Sequence, residues 1–136
     1  MLILDTSFLV ALLRERDEFH LWAVAALRAH DRKLVTCEVV LAETCYLLQD
    51  RRDARRELLA AVATENIGLP FRLSHEAVAV EKLMDRYRNV PMSLADACLV
   101  RMSELHREAL VVTLDEHFKI YRRGDRQVIP AVMPSR

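Results

Sequence analysis

Apolar and polar positions sort this chain into short apolar runs and longer stretches at helical spacing. Leu2-Ile3-Leu4 is a short apolar run that stops at Asp5, as a buried strand would. Phe8, Leu9, Leu12 and Leu13 then repeat at helical spacing and predict a helix over 7–14. A second helix is expected over 18–30, with Phe19, Trp22, Ala23, Ala26 and Leu27 on one face. Leu34-Val35-Thr36 reads as a second strand, followed by helices over 38–49 and 53–65, the latter with Leu58, Leu59, Val62 and Ala63 turned inward. Gly68 and Pro70 make 67–73 a short strand or an extended link. A helix over 74–88 follows, with Val78, Val80, Leu83, Met84 and Tyr87 as its apolar positions. Pro91 breaks the chain before a strongly apolar helix over 94–106. Residues 109–113 form a β-branched strand, 115–122 a turn or short helix, and Val128-Ile129 a last small strand before Pro130. Strands alternating with helices predict an α/β fold with a mainly parallel sheet.

Composition narrows this further. A chain of 136 residues that is 52% hydrophobic is expected to fold as one domain, residues 1–136, with a substantial core. Gly 2 and Pro 4 are too few for an all-β fold built on many turns. The 20 basic and 20 acidic residues cancel, so any nucleic acid must be held by a local patch or through metal ions. Cys37, Cys45 and Cys98 show no CxxC spacing and read as buried thiols in a reducing compartment. Neither a signal peptide nor a membrane span is visible, which predicts a cytoplasmic protein.

The placement of the acids carries the chemistry. Asp5 and Asp115 each follow a strand, where ligands bind in open α/β sheets. Glu43 has Val39, Val40, Tyr46 and Leu47 as its same-face helical neighbours, which predicts a buried acid. Asp96 has Met92, Leu99 and Val100 at the same spacings. Some of these acids also have a purely structural reading. Asp5 suits a helix N-cap. Ser93-Leu94-Ala95-Asp96 fits a capping box, and Thr113-Leu114-Asp115-Glu116 fits another with Glu116 as the back-bonding acid. Glu43, in mid-helix, has no such role. Four carboxylates together repel unless cations compensate them, and hard divalent ions take oxygen ligands. The joint expectation is an acidic site of Asp5, Glu43, Asp96 and Asp115 that binds Mg²⁺ or Mn²⁺ and hydrolyses phosphodiesters.

With these residues identified, the chain resembles the PIN-domain family, most of all the VapC-type toxins of toxin–antitoxin pairs. The matching pieces are Leu2-Ile3-Leu4-Asp5-Thr6-Ser7, Val40-Leu41-Ala42-Glu43, Ser93-Leu94-Ala95-Asp96-Ala97 and Thr113-Leu114-Asp115, in that order over nearly the whole length. The resemblance implies a three-layer α/β/α fold with a small, mainly parallel sheet. It implies a Mg²⁺- or Mn²⁺-dependent endoribonuclease whose metal acids are Asp5, Glu43, Asp96 and Asp115, with Thr6, Ser7 and Thr113 as orienting hydroxyls. It also implies an RNA substrate, an antitoxin partner and a homodimer. One position departs: where the family often places a further acid before a Phe, this chain has His117 before Phe118. That bears on whether the site takes one metal or two.

Other features are less specific. No histidine pair has zinc-protease spacing. Arg51, Arg52, Arg55 and Arg56, and later Arg122, Arg123 and Arg126, are solvated helix or loop faces or else phosphate contacts. The competing functions are a PIN nuclease of RNA processing with no toxin role, a phosphoacceptor module and a non-catalytic binding module. The phosphoacceptor needs an acceptor Asp after a mid-chain strand, and neither 34–36 nor 67–73 ends in one.

Overall fold

A computed structural model describes residues 1–135, so the last residue of the expected 1–136 domain lies outside it. Five strands form the central sheet: β1 (Leu2–Leu4), β2 (Leu34–Val35), β3 (Ile67–Gly68), β4 (Leu110–Val112) and β7 (Ala131–Val132). Their order is β3-β2-β1-β4-β7, and every pairing is parallel. Six helices cover the sheet in a three-layer α/β/α arrangement: α1 (Thr6–Leu13), α2 (His20–Ala29), α3 (Glu38–Leu47), α4 (Arg52–Ala63), α5 (Leu73–Arg86) and α6 (Leu94–Leu105).

The order explains why β1 has no polar position. A central parallel strand is covered on both faces and reads as an unbroken apolar run. Leu2, Ile3 and Leu4 are all buried accordingly. The chain turns to one side of β1 for β2 and β3, and to the other for β4 and β7. The carboxyl ends of β1 and β4 therefore flank the point where the strand order reverses, which is where this class of sheet leaves a crevice for ligands. Asp5 and Thr113 stand at those two ends. The apolar helix α6 packs against both strands, with Ala97, Cys98, Leu99, Val100 and Met102 fully buried. Truncating Leu99 to Ala would cost about 2–5 kcal/mol in such a core.

Several expectations shift. The last sheet strand lies after Pro130, at Ala131–Val132, not at Val128-Ile129. Val128 belongs instead to β6 (Gln127–Val128), which pairs antiparallel with β5 (Arg122–Arg123) as a separate hairpin. Gly124 and Asp125 turn that hairpin with φ of 52° and 72°, a conformation open to Gly and tolerated by Asp. Leu59 on α4 and Val78 on α5 face solvent. Helical spacing selects a stripe, but only the neighbours decide which edge of the stripe is covered. Cys37 and Cys98 are buried, Cys45 is half-buried, and all three are free thiols. Among the described residues no helix is long and apolar enough to cross a membrane.

Candidate active site

Asp5 has its capping role and its place in the crevice at once. Its extended backbone ends β1, and its Oδ1 accepts from the Thr6 amide at 2.7 Å, capping α1. Oδ2 accepts from Ser7 Oγ at 3.1 Å and from Thr113 Oγ1. Those hydroxyls are themselves pinned: Ser7 Oγ accepts from the Leu114 amide at 3.0 Å, and Thr113 Oγ1 from the Asp115 amide at 2.9 Å. A hydroxyl that accepts a backbone N–H has its proton left to donate, here to Asp5. The carboxylate is only 4% exposed. Burial raises its pKa from 3.8 to about 6, against the hydrogen bonds from Thr113 and Thr6, and the charge of Asp96 adds to the rise.

Asp96 is the third residue of α6 and completes the expected capping box: Ser93 Oγ accepts from its amide at 3.0 Å, and its Oδ2 accepts from the Ser93 amide at 3.1 Å. The same Oδ2 accepts from the Tyr121 phenol at 3.2 Å. Burial pushes the Asp96 carboxyl above its usual range, and the charge of Asp115 pushes it further. Asp115 caps a single 3-10 turn, Glu116–Lys119, and its Oδ1 accepts from the His117 amide at 2.9 Å and His117 Nδ1 at 2.8 Å. This corrects the capping box expected from Thr113 and Glu116. Thr113 is committed to Asp5 and the Asp115 amide, so Asp115 itself serves as the cap.

Glu43 departs furthest from expectation. It is exposed, because Tyr46 and Leu47, its neighbours on α3, are 69% and 48% exposed. Only the Tyr46–Leu47 end of the apolar stripe around it is surface, while Val40 is buried and Val39 half-buried. Glu43 is nevertheless tied to the site, since its Oε1 accepts from Thr6 Oγ1 at 2.7 Å. The structure thus groups Asp5, Asp96 and Asp115 electrostatically and links Glu43 to them through Thr6.

Tyr121 is the residue the sequence reading missed. It is fully buried, and its phenol pKa is driven up by burial, by the charge of Asp96 and by their hydrogen bond. No local pattern marks it: only folding brings a side chain after β4 to the first turn of α6. The second arginine group, by contrast, is mainly structural. Arg122 Nη1 donates to the carbonyls of Lys119, Ile120 and Tyr121, and Arg123 Nη1 to those of Ser103 and Arg107. Arg52 and Arg56 in the first group are exposed. A hollow of about 580 Å³, lined by Leu114, Asp115, His117, Lys119 and Ile120 among others, opens on the Asp115 side of the site.

The donor set fits a hard divalent cation. Among the described residues, Asp96 Oδ1, Asp115 Oδ2 and Glu43 Oε2 accept no hydrogen bond, while the other oxygen of each is fastened. All donors are carboxylate oxygens, the ligands Mg²⁺ and Mn²⁺ prefer. No three acidic, histidine or cysteine side chains among the described residues converge tightly enough to grip one ion as they stand. Mg²⁺ commonly takes only one or two carboxylates and completes its shell with water, so a pair is enough.

The family model for the PIN domain matches residues 2–124. The chain is 28% identical over 126 residues to Ribonuclease VapC26 of Mycobacterium tuberculosis (strain ATCC 25618 / H37Rv), covering 89% of this chain and 92% of that protein. Its fold is similar to the crystal structure of Mycobacterium tuberculosis VapC20, described as a Sarcin-Ricin loop cleaving toxin. The TM-score is 0.72 at 22% identity, over 85% of this chain and 91% of that one.

Proposed function

The chain belongs to the PIN-domain family, and we propose that it is a divalent-metal-dependent endoribonuclease, the toxin of a toxin–antitoxin pair. The observation that carries the reading is the electrostatic grouping of Asp5, Asp96 and Asp115 at the reversal point of the sheet, with one oxygen each of Asp96 and Asp115 left open. Similarity to a ribonuclease supports RNA as the substrate.

On this reading Asp5 and Asp96 hold Mg²⁺ or Mn²⁺, with Asp115 and Glu43 completing the acidic surround. A cation held there would supply Lewis-acid chemistry at the phosphodiester and make water more acidic. The chain's own residues prepare the ground. Thr113 and Ser7 fix the plane of the Asp5 carboxylate, and Thr6 orients Glu43. The half-exposed Asp115 and the exposed Glu43 border the solvent side, where an RNA strand approaches. A neutral protein cannot gather RNA by net charge, so the exposed Arg52 and Arg56 serve as phosphate contacts. Residues 1–136 act as one PIN domain in the cytoplasm, working as a homodimer and held in check by an antitoxin.

The test is cleavage of a panel of structured RNAs with Mg²⁺ or Mn²⁺, with EDTA, and with Asp5→Asn. Cleavage is expected only for the wild type with metal. Cleavage that survives EDTA or the substitution overturns the reading.

A further inference from the structure

We propose that Tyr121 is a positioning residue of the acidic site: its phenol fastens Asp96 by Oδ2 and so reserves Oδ1 of that carboxylate for a divalent cation. The inference rests on the cation-site reading above and adds a residue to it.

Capping alone does not account for this contact. A capping box needs one donor to the acid, and the Ser93 amide supplies it at 3.1 Å. The second donor to the same oxygen comes from 25 residues away, at 3.2 Å. The phenol has nowhere else to turn. Tyr121 is 0% exposed, and a buried hydroxyl must find a partner. Among the described residues Asp96 is its one hydrogen-bond partner.

The ring is also held from three sides. Tyr87 and Phe118 meet it edge-on, with centroids 5.2 and 5.3 Å away, and His117 stacks on it at 6.3 Å. The backbone beside it is locked as well, because the Arg122 amide donates to the Tyr87 hydroxyl at 2.9 Å. An oxygen donor on a fixed ring is thereby aimed at one oxygen of a helix-borne acid. His117, stacked on the same ring, fastens Oδ1 of Asp115 in the same manner. Two stacked rings thus each hold one acid by one oxygen.

Groups that orient metal ligands typically change metal affinity 10–100-fold when removed. A 3.2 Å bond is long for O–H···O, which places the expected effect at the lower end. The experiment is Mn²⁺ titration of the metal-free chain, followed by the electron paramagnetic resonance of free Mn²⁺, for the wild type, Tyr121→Phe and Asp5→Asn. Tyr121→Phe keeps the ring and its packing. It is expected to weaken Mn²⁺ binding roughly tenfold and to leave the metal-free melting temperature within a few degrees of wild type. Saturating Mn²⁺ should then restore its RNA cleavage. Mn²⁺ binding by Tyr121→Phe equal to wild type, with binding lost in Asp5→Asn, overturns the role of Tyr121 and leaves the cation site standing. Wild-type binding by Asp5→Asn overturns the cation site and this inference together. Should Tyr121→Phe fail to fold, the wild type decides. Mg²⁺ is expected to perturb the tyrosine ultraviolet difference spectrum, and Asp96→Asn to abolish the change. A flat wild-type spectrum overturns the proposal.

Discussion

The two ends of Thr6 meet two very different carboxylates. Its amide donates to Asp5, which is 4% exposed and takes two further hydroxyl donors. Its hydroxyl donates to Glu43, which is exposed and has that single protein bond among the described residues. The contrast shows how a site can hold acids of two kinds. A buried carboxylate needs a full set of donors, so its position is dictated by the fold. An exposed one is solvated by water, so its position is set by one contact and its removal costs the fold little. Asp5 is the fixed inner acid, and Glu43 is the adjustable outer one.

Four measurements break or sharpen that contrast, the largest effect first. Asp5→Asn is expected to lower metal-dependent RNA cleavage on the order of a thousandfold, about 4 kcal/mol of barrier. Single-turnover cleavage measures it, and a loss no larger than that of Glu43→Gln would erase the distinction between the two acids.

Asp5 is also expected to make the stability of the metal-free protein fall as pH rises. The Asp5 pKa rises from 3.8 to about 6 on folding, so the folded chain binds its proton more tightly than the unfolded one does. The associated stability is fully present below 3.8 and is lost as pH rises through about 6. In EDTA the wild type should therefore lose up to about 3 kcal/mol from this group as pH rises from 3.8 through 6 to neutral. Added Mg²⁺ should reduce the loss by binding the folded wild type. Urea melts across pH with and without Mg²⁺ give the answer, and a stability that rises over this range would contradict the buried, desolvated Asp5.

Thr113→Val removes the hydroxyl that serves both Asp5 and the Asp115 amide. With the Asp115 amide left unpaired at a half-buried position and the buried Asp5 short of one donor, about 1–3 kcal/mol of stability should be lost. Chemical denaturation checks this, and a neutral result would mean water replaces the hydroxyl. Glu43→Gln keeps an oxygen for Thr6 and sits in solvent. It is expected to change stability by less than about 0.5 kcal/mol while lowering cleavage about tenfold, roughly 1.4 kcal/mol. Thermal melts and cleavage rates on one preparation separate the two effects.

Much of this site was legible because its acids end apolar runs. Asp5 after Leu2-Ile3-Leu4, Asp115 after the β4 residues and the Ser93–Asp96 box are local patterns whose structural counterparts are also local. Glu43 misled on burial because its partners at three and four residues are apolar, and helical spacing says nothing of whether another element covers them. Tyr121 was invisible because its contact with Asp96 spans 25 residues. Likewise the fifth strand lies past Pro130, because what fixes β7 is pairing with β4, not the β-propensity of Val128-Ile129.

The sequence by itself determined the alternation of strands and helices, the burial of β1 and the three aspartates at element boundaries. These follow from spacing, side-chain volume and capping, which act over a few residues. Only the tertiary structure decided which carboxylate is buried, which oxygens are fastened and which phenol fastens them. Those outcomes depend on desolvation and on donors brought from distant segments, which exist only once the sheet order has placed β1 beside β4 and α6 across both.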